Sequence, residues 1–199
     1  QQTGFMTENI NENTTATLRN MQIRQNSFRI MDQLNSIENT SVATMSQLTF
    51  VMNQFAAQAN LAGESIASMA AMSAVLIESG EEQGKAGRAL RMIYARLGAD
   101  TAGARKALEE LGIAVVDAET GALRPLSDVL VDLQPAYQAM TGEQKQNLAQ
   151  TVAGNVHYTR LIKLLEGTTR MQELNTNALE SAFPAQEEID RLQQTNLFT

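Results

Sequence analysis

Residues 64–98 read ESIASMAAMSAVLIESGEEQGKAGRALRMIYARLG, and this stretch decides the class of fold. Two apolar-periodic runs are parted by Gly80-Glu-Glu-Gln-Gly84, where hydrophobicity and side-chain bulk both fall away. The first run is built of Ala, Ser, Met, Val, Leu and Ile without a charge from Ser65 to Ile77, a composition suited to a helix packed among helices. The second run carries its apolar residues three and four apart. The spacing predicts helices over Glu64–Ser79 and Gln83–Leu97, with glycines that relax the backbone at the turn and let the helices approach closely.

Outward from there, the same texture continues from Leu61 to Gly167. Gly63, Gly98, Gly112, Gly121, Gly142, Gly154 and Gly167 fall between or at the ends of apolar-periodic runs. Further helices are predicted over Thr101–Leu111, Ser127–Met140, Glu143–Ala153 and Val156–Glu166. Thr141-Gly-Glu-Gln144 matches a capping box, in which the hydroxyl accepts a backbone N–H and the Gln side chain reaches back. Ile113-Ala-Val-Val-Asp117, the turn Ala118-Glu-Thr-Gly121 and Ala122-Leu-Arg-Pro125 read instead as a small β-hairpin near 113–125.

The flanks are polar. Residues 1–60 are rich in Asn, Gln, Thr and Ser and read as an amphipathic helical arm. Within it Met45, Leu48, Met52, Phe55 and Ala59 alternate three and four apart, the seam spacing of supercoiled helices, and Phe28, Met31 and Leu34 continue an apolar stripe less regularly. Such a seam either packs on its own domain or binds a second copy. Residues 168–199 form a second polar arm, with a helix over Thr168–Phe183, a break at Pro184 and a last short helix marked by Ile189, Leu192 and Leu197. The expected fold is therefore mainly α, a compact helical module over 61–167 with one hairpin, flanked by extended amphipathic helices of coiled-coil spacing.

Composition narrows the function. The 199 residues are 43% hydrophobic but only 5% aromatic, without Trp, so a core would be made of Ala, Leu, Met, Ile and Val. Met69, Met72, Met92, Met140 and Met171 fall in apolar stripes and read as core filling. A net charge of -7 argues against specific nucleic-acid binding, which needs clustered Lys and Arg. The absence of Cys removes disulfides, thiolate metal sites and thiol nucleophiles. The chain opens on Gln1 rather than Met, which suggests a processed product or an internal portion, and no signal-peptide pattern is visible. The uncharged run Ser65–Ile77 is shorter than the roughly 20 residues a membrane-spanning helix needs.

No catalytic constellation emerges, and neither cofactor nor metal is expected. His157 is the single histidine, beside Tyr158, and reads as a packing or surface residue rather than a general base. Gly80-Glu-Glu-Gln-Gly84-Lys85-Ala86 falls short of a phosphate-binding loop: its glycines are one residue too close, and Ala86 stands where a magnesium-ligating hydroxyl belongs. Glu81-Glu82, Glu109-Glu110 and Glu187-Glu188 read as solvated faces, with Arg105 and Lys106 four residues before Glu109 and Glu110.

One family accounts for the ordered motifs. Gly84-Lys-Ala-Gly87-Arg-Ala-Leu90-Arg91 after an Ala-rich helix ending at Gly80, then Ala107-Leu-Glu-Glu-Leu111-Gly112-Ile113, come first. Val116-Asp117 to Gly121, Leu123-Arg-Pro-Leu126 and Asp128-Val-Leu-Val-Asp-Leu133 follow, and Val152-Ala-Gly154 with Leu161-Ile-Lys-Leu-Leu165 closes the set. In this order they resemble the core region of the phage tail tape measure protein family. The stretch Ala153-Gly154-Asn155-Val156-His157 departs from the family, which often has an aromatic before the glycine and a small or basic residue soon after.

The resemblance implies a non-enzymatic segment of a longer, largely helical protein of the virion tail, in its interior or tip, passing through the host cytoplasm during assembly. It implies a part in setting tail length, in tail assembly and in genome delivery. Implied partners are tail tube, tail-tip or baseplate hub proteins, assembly chaperones and further copies of the chain, with a trimer favoured over a hexamer and membrane contact only during ejection. The rival reading is a membrane-inserting segment that forms a conduit for DNA in the host envelope. Even wholly helical, this chain would span only about 300 Å.

Overall fold

The computed structural model describes residues 2–100 and 103–182, with only the backbone for residues 2–18 and Met21. Among the described residues it is mainly helical: α1 (Gln2–Thr40), α2 (Met45–Leu61), α3 (Ile66–Glu78), α4 (Gln83–Gly98), α5 (Ala104–Glu109), α6 (Leu126–Ala139), α7 (Gly142–Ala153), α8 (Tyr158–Glu166) and α9 (Thr168–Ser181).

Local chemistry sets most of these ends. The capping box at Thr141 forms, with Gln144 N–H donating to the Thr141 hydroxyl and Thr141 N–H to Gln144 Oε1 at 2.9 Å. A second one, not foreseen, opens α2 at Thr44 and Gln47. Ser65 starts α3 by accepting Ser68 N–H at 3.0 Å. Gly80, Gly112 and Gly154 leave α3, the turn after α5 and α7 with positive φ, a conformation costly for any other residue. Predicted and observed helices agree within a few residues. The largest departures are α5, which starts at Ala104 after the left-handed Gly103, and α8, delayed to Tyr158 by the turn after Gly154. The expected helix around Ile189 to Leu197 lies outside the described residues.

Helix α3 is the axis of the body. It touches α1, α2, α4, α6, α8 and α9, and every residue from Ala67 to Leu76 is buried. Its Ala and Ser positions let neighbours close in from all sides, while Met72 and Leu76 fill the gaps. Two glycines elsewhere also set packing distances. A methyl group at Gly87, which lies within α4 rather than in the preceding turn, would sit 2.7 Å from Gln54 Cδ on α2. One at Gly167, between α8 and α9, would sit 2.5 Å from Val75 Cγ1 on α3.

The segment 113–125 does not become a strand pair. It closes on a single antiparallel bridge, Val116 to Leu123, with Asp117 N–H donating to Ala122 O and Arg124 N–H to Val115 O, both at 2.9 Å. The ladder stops because the next rung would pair Ile113 with Leu126, which already begins α6, while the Ile113 N–H is taken by Leu108 O at 3.0 Å. Asp117 closes the turn by accepting from the Thr120 N–H and hydroxyl, at 2.8 and 2.7 Å. Burial of Ile113 and Val115 holds the segment to the body without a sheet.

Packing does not break at residues 60 and 167. Helix α2 lies on α4 and α9 lies on α3 and α1, and Leu48, Phe55, Met171 and Leu174 belong to one continuous core with the residues between. What projects from this body is the outer part of α1, where the side chains from Arg19 to Phe28 are exposed or half-buried apart from the undescribed Met21.

Candidate interaction surface

The residues that carry the ordered motifs build the fold. Leu90, Leu126 and Leu133 are buried, Ile113 nearly so and Leu111 half-buried against the core. Gly80, Gly112, Gly121 and Gly154 take positive φ, Gly84 and Gly87 lie in α4, and Asp117 shapes its turn. Arg91 is exposed. They are spread over the body and converge on no common site. Met69, Met72 and Met171 fill the core as expected, whereas Met92 faces solvent.

The seam on α2 meets its own chain. Leu48, Met52, Phe55 and Ala59 are buried and Met45 is partly so; α2 packs on α4, with α3 and α1 beside it, and the Phe55 and Tyr94 rings stack at 6.0 Å between centroids. The expected self-association seam is therefore occupied within one chain, because α4 offers a complementary apolar face at a far higher effective concentration than another molecule can.

Beside that contact lies a buried acidic side chain. Glu64, only 8% exposed, accepts from Tyr94 Oη at 2.6 Å, Ser127 Oγ at 2.6 Å and Ser127 N–H at 3.2 Å. Burial, and then the adjacent carboxylate, push the Tyr94 phenol far up. These contacts join the turn before α3 to α4 and α6. Nothing in the sequence marked Glu64 as buried, since its partners lie 30 and 63 residues away.

Charged residues elsewhere act as ties. Glu81 accepts from Lys163 at 2.6 Å and Arg160 at 2.9 Å; burial alone would raise its carboxyl, and these two cations hold it below the usual range. Arg96 donates to Thr151 and Val152 carbonyls, closing α4 on α7. Lys106 pairs with Glu110 at 3.9 Å, but Arg105 turns to the Leu97 and Gly98 carbonyls instead of Glu109. His157 stands before α8 with its Nδ1 buried and without a hydrogen-bond partner among the described residues. Burial, then Arg160 and Arg88, lower its pKa, so it is neutral near pH 7 and has no carboxylate to orient it as a base. A cleft of about 310 Å³ between α3, α6 and α9 is lined by Ser68, Arg124, Asp128, Asp132 and Asn175, with Arg124 already paired to Asp132 at 2.8 Å.

The least satisfied surface is α1. Its inner end is well held: Leu34 and Ile37 are buried, Arg170 of α9 binds Glu78 and the Thr40 carbonyl, and Ser181 Oγ donates to Asp32 O at 3.3 Å. Outward, Ile23, Phe28 and Met31 are 57%, 58% and 55% exposed on a stretch that also carries Arg19, Arg24 and Arg29. Large apolar side chains left open along a projecting helix are what a contact surface requires. No helix among the described residues is long and apolar enough to cross a membrane, and α3, with 13 residues, is enclosed by other helices.

Comparison with known proteins places the chain among phage tail proteins. The profile of a family described as phage-related minor tail protein matches residues 2–154, taking in α1 and α2, where no motif could be assigned from sequence, and ending before the Leu161–Leu165 block. The chain is 27% identical over 155 residues to the tape measure protein of Pneumococcus phage Dp-1, covering 78% of this chain and 13% of that protein. It thus spans a small part of that relative's length. No solved structure matches. The chain belongs to the phage-related minor tail protein family, as a helical component of the phage tail similar to tape measure proteins.

Proposed function

We propose that this chain is one segment of a tape measure protein that occupies the tail interior or tip, helps set tail length, and takes part in tail assembly and genome delivery. The observation that carries the reading is a family match over residues 2–154, beside 27% identity over 155 residues to a tape measure protein many times longer. A rod joined to a compact body is a unit that can be strung along such a chain.

The two parts contribute unequally to length. Helix α1 has 39 residues and spans about 60 Å at 1.5 Å per residue. Residues 45–167 would cover about 185 Å as a continuous helix, but as a compact body they measure only about 35 Å across. Deleting residues 45–167 in the full-length protein of the parent phage, and measuring tails by electron microscopy, tests the reading. Shortening by about 35 Å means the body is counted folded. Shortening by about 185 Å means it is counted stretched. Tails of unchanged length would overturn a measuring role for this segment.

Partners on this reading are the tail tube, tail-tip or baseplate hub proteins and assembly chaperones. Copies associate, three being favoured, through the side of α1 that bears Phe28 and Met31 rather than through the α2 seam. Light scattering of the chain and of a Phe28→Asp, Met31→Asp variant tests this: the variant becomes monomeric, whereas a monomeric parent chain would refute association.

A further inference from the structure

The apolar pattern of the α1–α9 pair continues in sequence beyond Ala182. On α1 the buried Leu34 and Ile37 are continued outward by Ile30 and Ile23, which are increasingly exposed. On the other side the buried Met171, Leu174, Ala178 and Ala182 are continued in sequence by Ala185, Ile189 and Leu192, still three and four apart. Two contacts fix the direction and register of the pair. Arg170 donates to the Thr40 carbonyl and Ser181 to the Asp32 carbonyl, so the chains run antiparallel. If a helix resumes in that register after Pro184, positions 185 and 189 would fall opposite Ser27 and Ile23.

We propose that residues 183–192 cover the outer face of α1 at Ile23 and Ile30, extending the antiparallel pair begun by α9. Charge agrees with the fit. From Arg19 to Met31, α1 carries Arg19, Arg24 and Arg29 and no acidic residue, whereas residues 183–192 carry Glu187, Glu188 and Asp190 against Arg191. Pro184 falls where α9 ends; it lacks an N–H, which the first turn of a new helix does not use, so a break there leaves the onward course open. Phe28 and Met31 lie on an adjacent side of α1, which this segment leaves free.

The chain contains no cysteine, so paired substitutions report on this contact alone. In the 199-residue chain, Ile23→Cys with Ile189→Cys forms a disulfide within one molecule, at a rate independent of protein concentration. Ile30→Cys with Ile189→Cys, displaced by about 10 Å along the axis, closes at least tenfold more slowly, because a disulfide does not bridge Cα atoms more than about 7 Å apart. Arg24→Glu slows closure of the first pair, and adding Glu188→Arg restores it. Cross-links that form only between molecules and scale with concentration would assign the face to a second copy and overturn the proposal. Equal rates for the two pairs would overturn it as well.

Discussion

Two seams in this molecule carry the same signal and meet different ends. Along α2, Leu48, Met52, Phe55 and Ala59 alternate three and four apart and are all buried where α2 packs on α4 and α3. Along α1, Ile23, Ile30, Leu34 and Ile37 keep a comparable rhythm, but only the inner two are covered, by α9 and α3. Periodicity states that a face will be buried if something is available to bury it. It does not say what. For α2 the cover is a helix a few turns later in the chain, brought close by Gly87 opposite Gln54; for outer α1 no described residue reaches that far.

The comparison breaks most visibly at two phenylalanines. Phe55→Ala removes a fully buried ring stacked on Tyr94 and should cost about 3–5 kcal/mol in urea unfolding. Phe28→Ala, on the exposed outer helix, should stay within about 0.5 kcal/mol when measured on the dilute, dissociated chain. Similar costs at both sites would mean that outer α1 is as tightly covered as α2.

Glu64 tests whether polar contacts hold the body side of the comparison. Glu64→Ala leaves two hydroxyls and one N–H without their acceptor and should cost about 3 kcal/mol, more than Tyr94→Phe, which removes one donor, by equilibrium denaturation. A smaller loss for Glu64→Ala than for Tyr94→Phe would show that the carboxylate is not what binds α4 to α6.

Close approach sharpens the comparison further. Gly167→Ala places a methyl group against Val75 Cγ1 and the Lys163 carbonyl and should destabilise by about 1–3 kcal/mol in thermal unfolding. Gly87→Ala should cost less, since it meets Gln54 alone: the far end at Cδ can turn aside, though Cβ at 2.9 Å moves only with α2, whereas Gly167 faces Val75 Cγ1 at 2.5 Å and a backbone carbonyl. The reverse order would place the tighter contact between α2 and α4.

Acid gives the smallest effect, confined to the body. The His157 pKa is lower in the fold than its ordinary value near 6.5, so below about pH 6.5 the unfolded chain takes up a proton that the fold resists. Stability is therefore level above that pH and declines as pH falls toward the folded value. Glu81, also lowered, adds a second decline through and below its ordinary range near 4.5, as its ties to Lys163 and Arg160 are lost. Denaturation measured across pH should lose its first decline in His157→Gln; an unchanged profile would assign that decline to another group.

Much of this was legible beforehand because it is local. Thr141 and Gln144 sit three residues apart in any helix they begin, and a glycine after an apolar run ends it whatever surrounds it. The hairpin stays at a single bridge because Leu126, the next ladder position, already begins α6, which the spacing of residues 113–125 does not show. The surface on α1 was visible only as an irregular stripe, Phe28, Met31 and Leu34, since spacing does not distinguish the buried Leu34 from the exposed Phe28.

By itself the sequence determined a mainly helical chain, roughly where the helices after residue 60 begin and end, and which faces are apolar, because caps, glycines and periodicity act within a few residues. The tertiary structure alone decided that α4 closes the α2 seam, that Glu64 is buried among Tyr94 and Ser127, and that the open seam is on α1. Those outcomes depend on which distant segments arrive first and fit best, a competition among long-range contacts that no short stretch records.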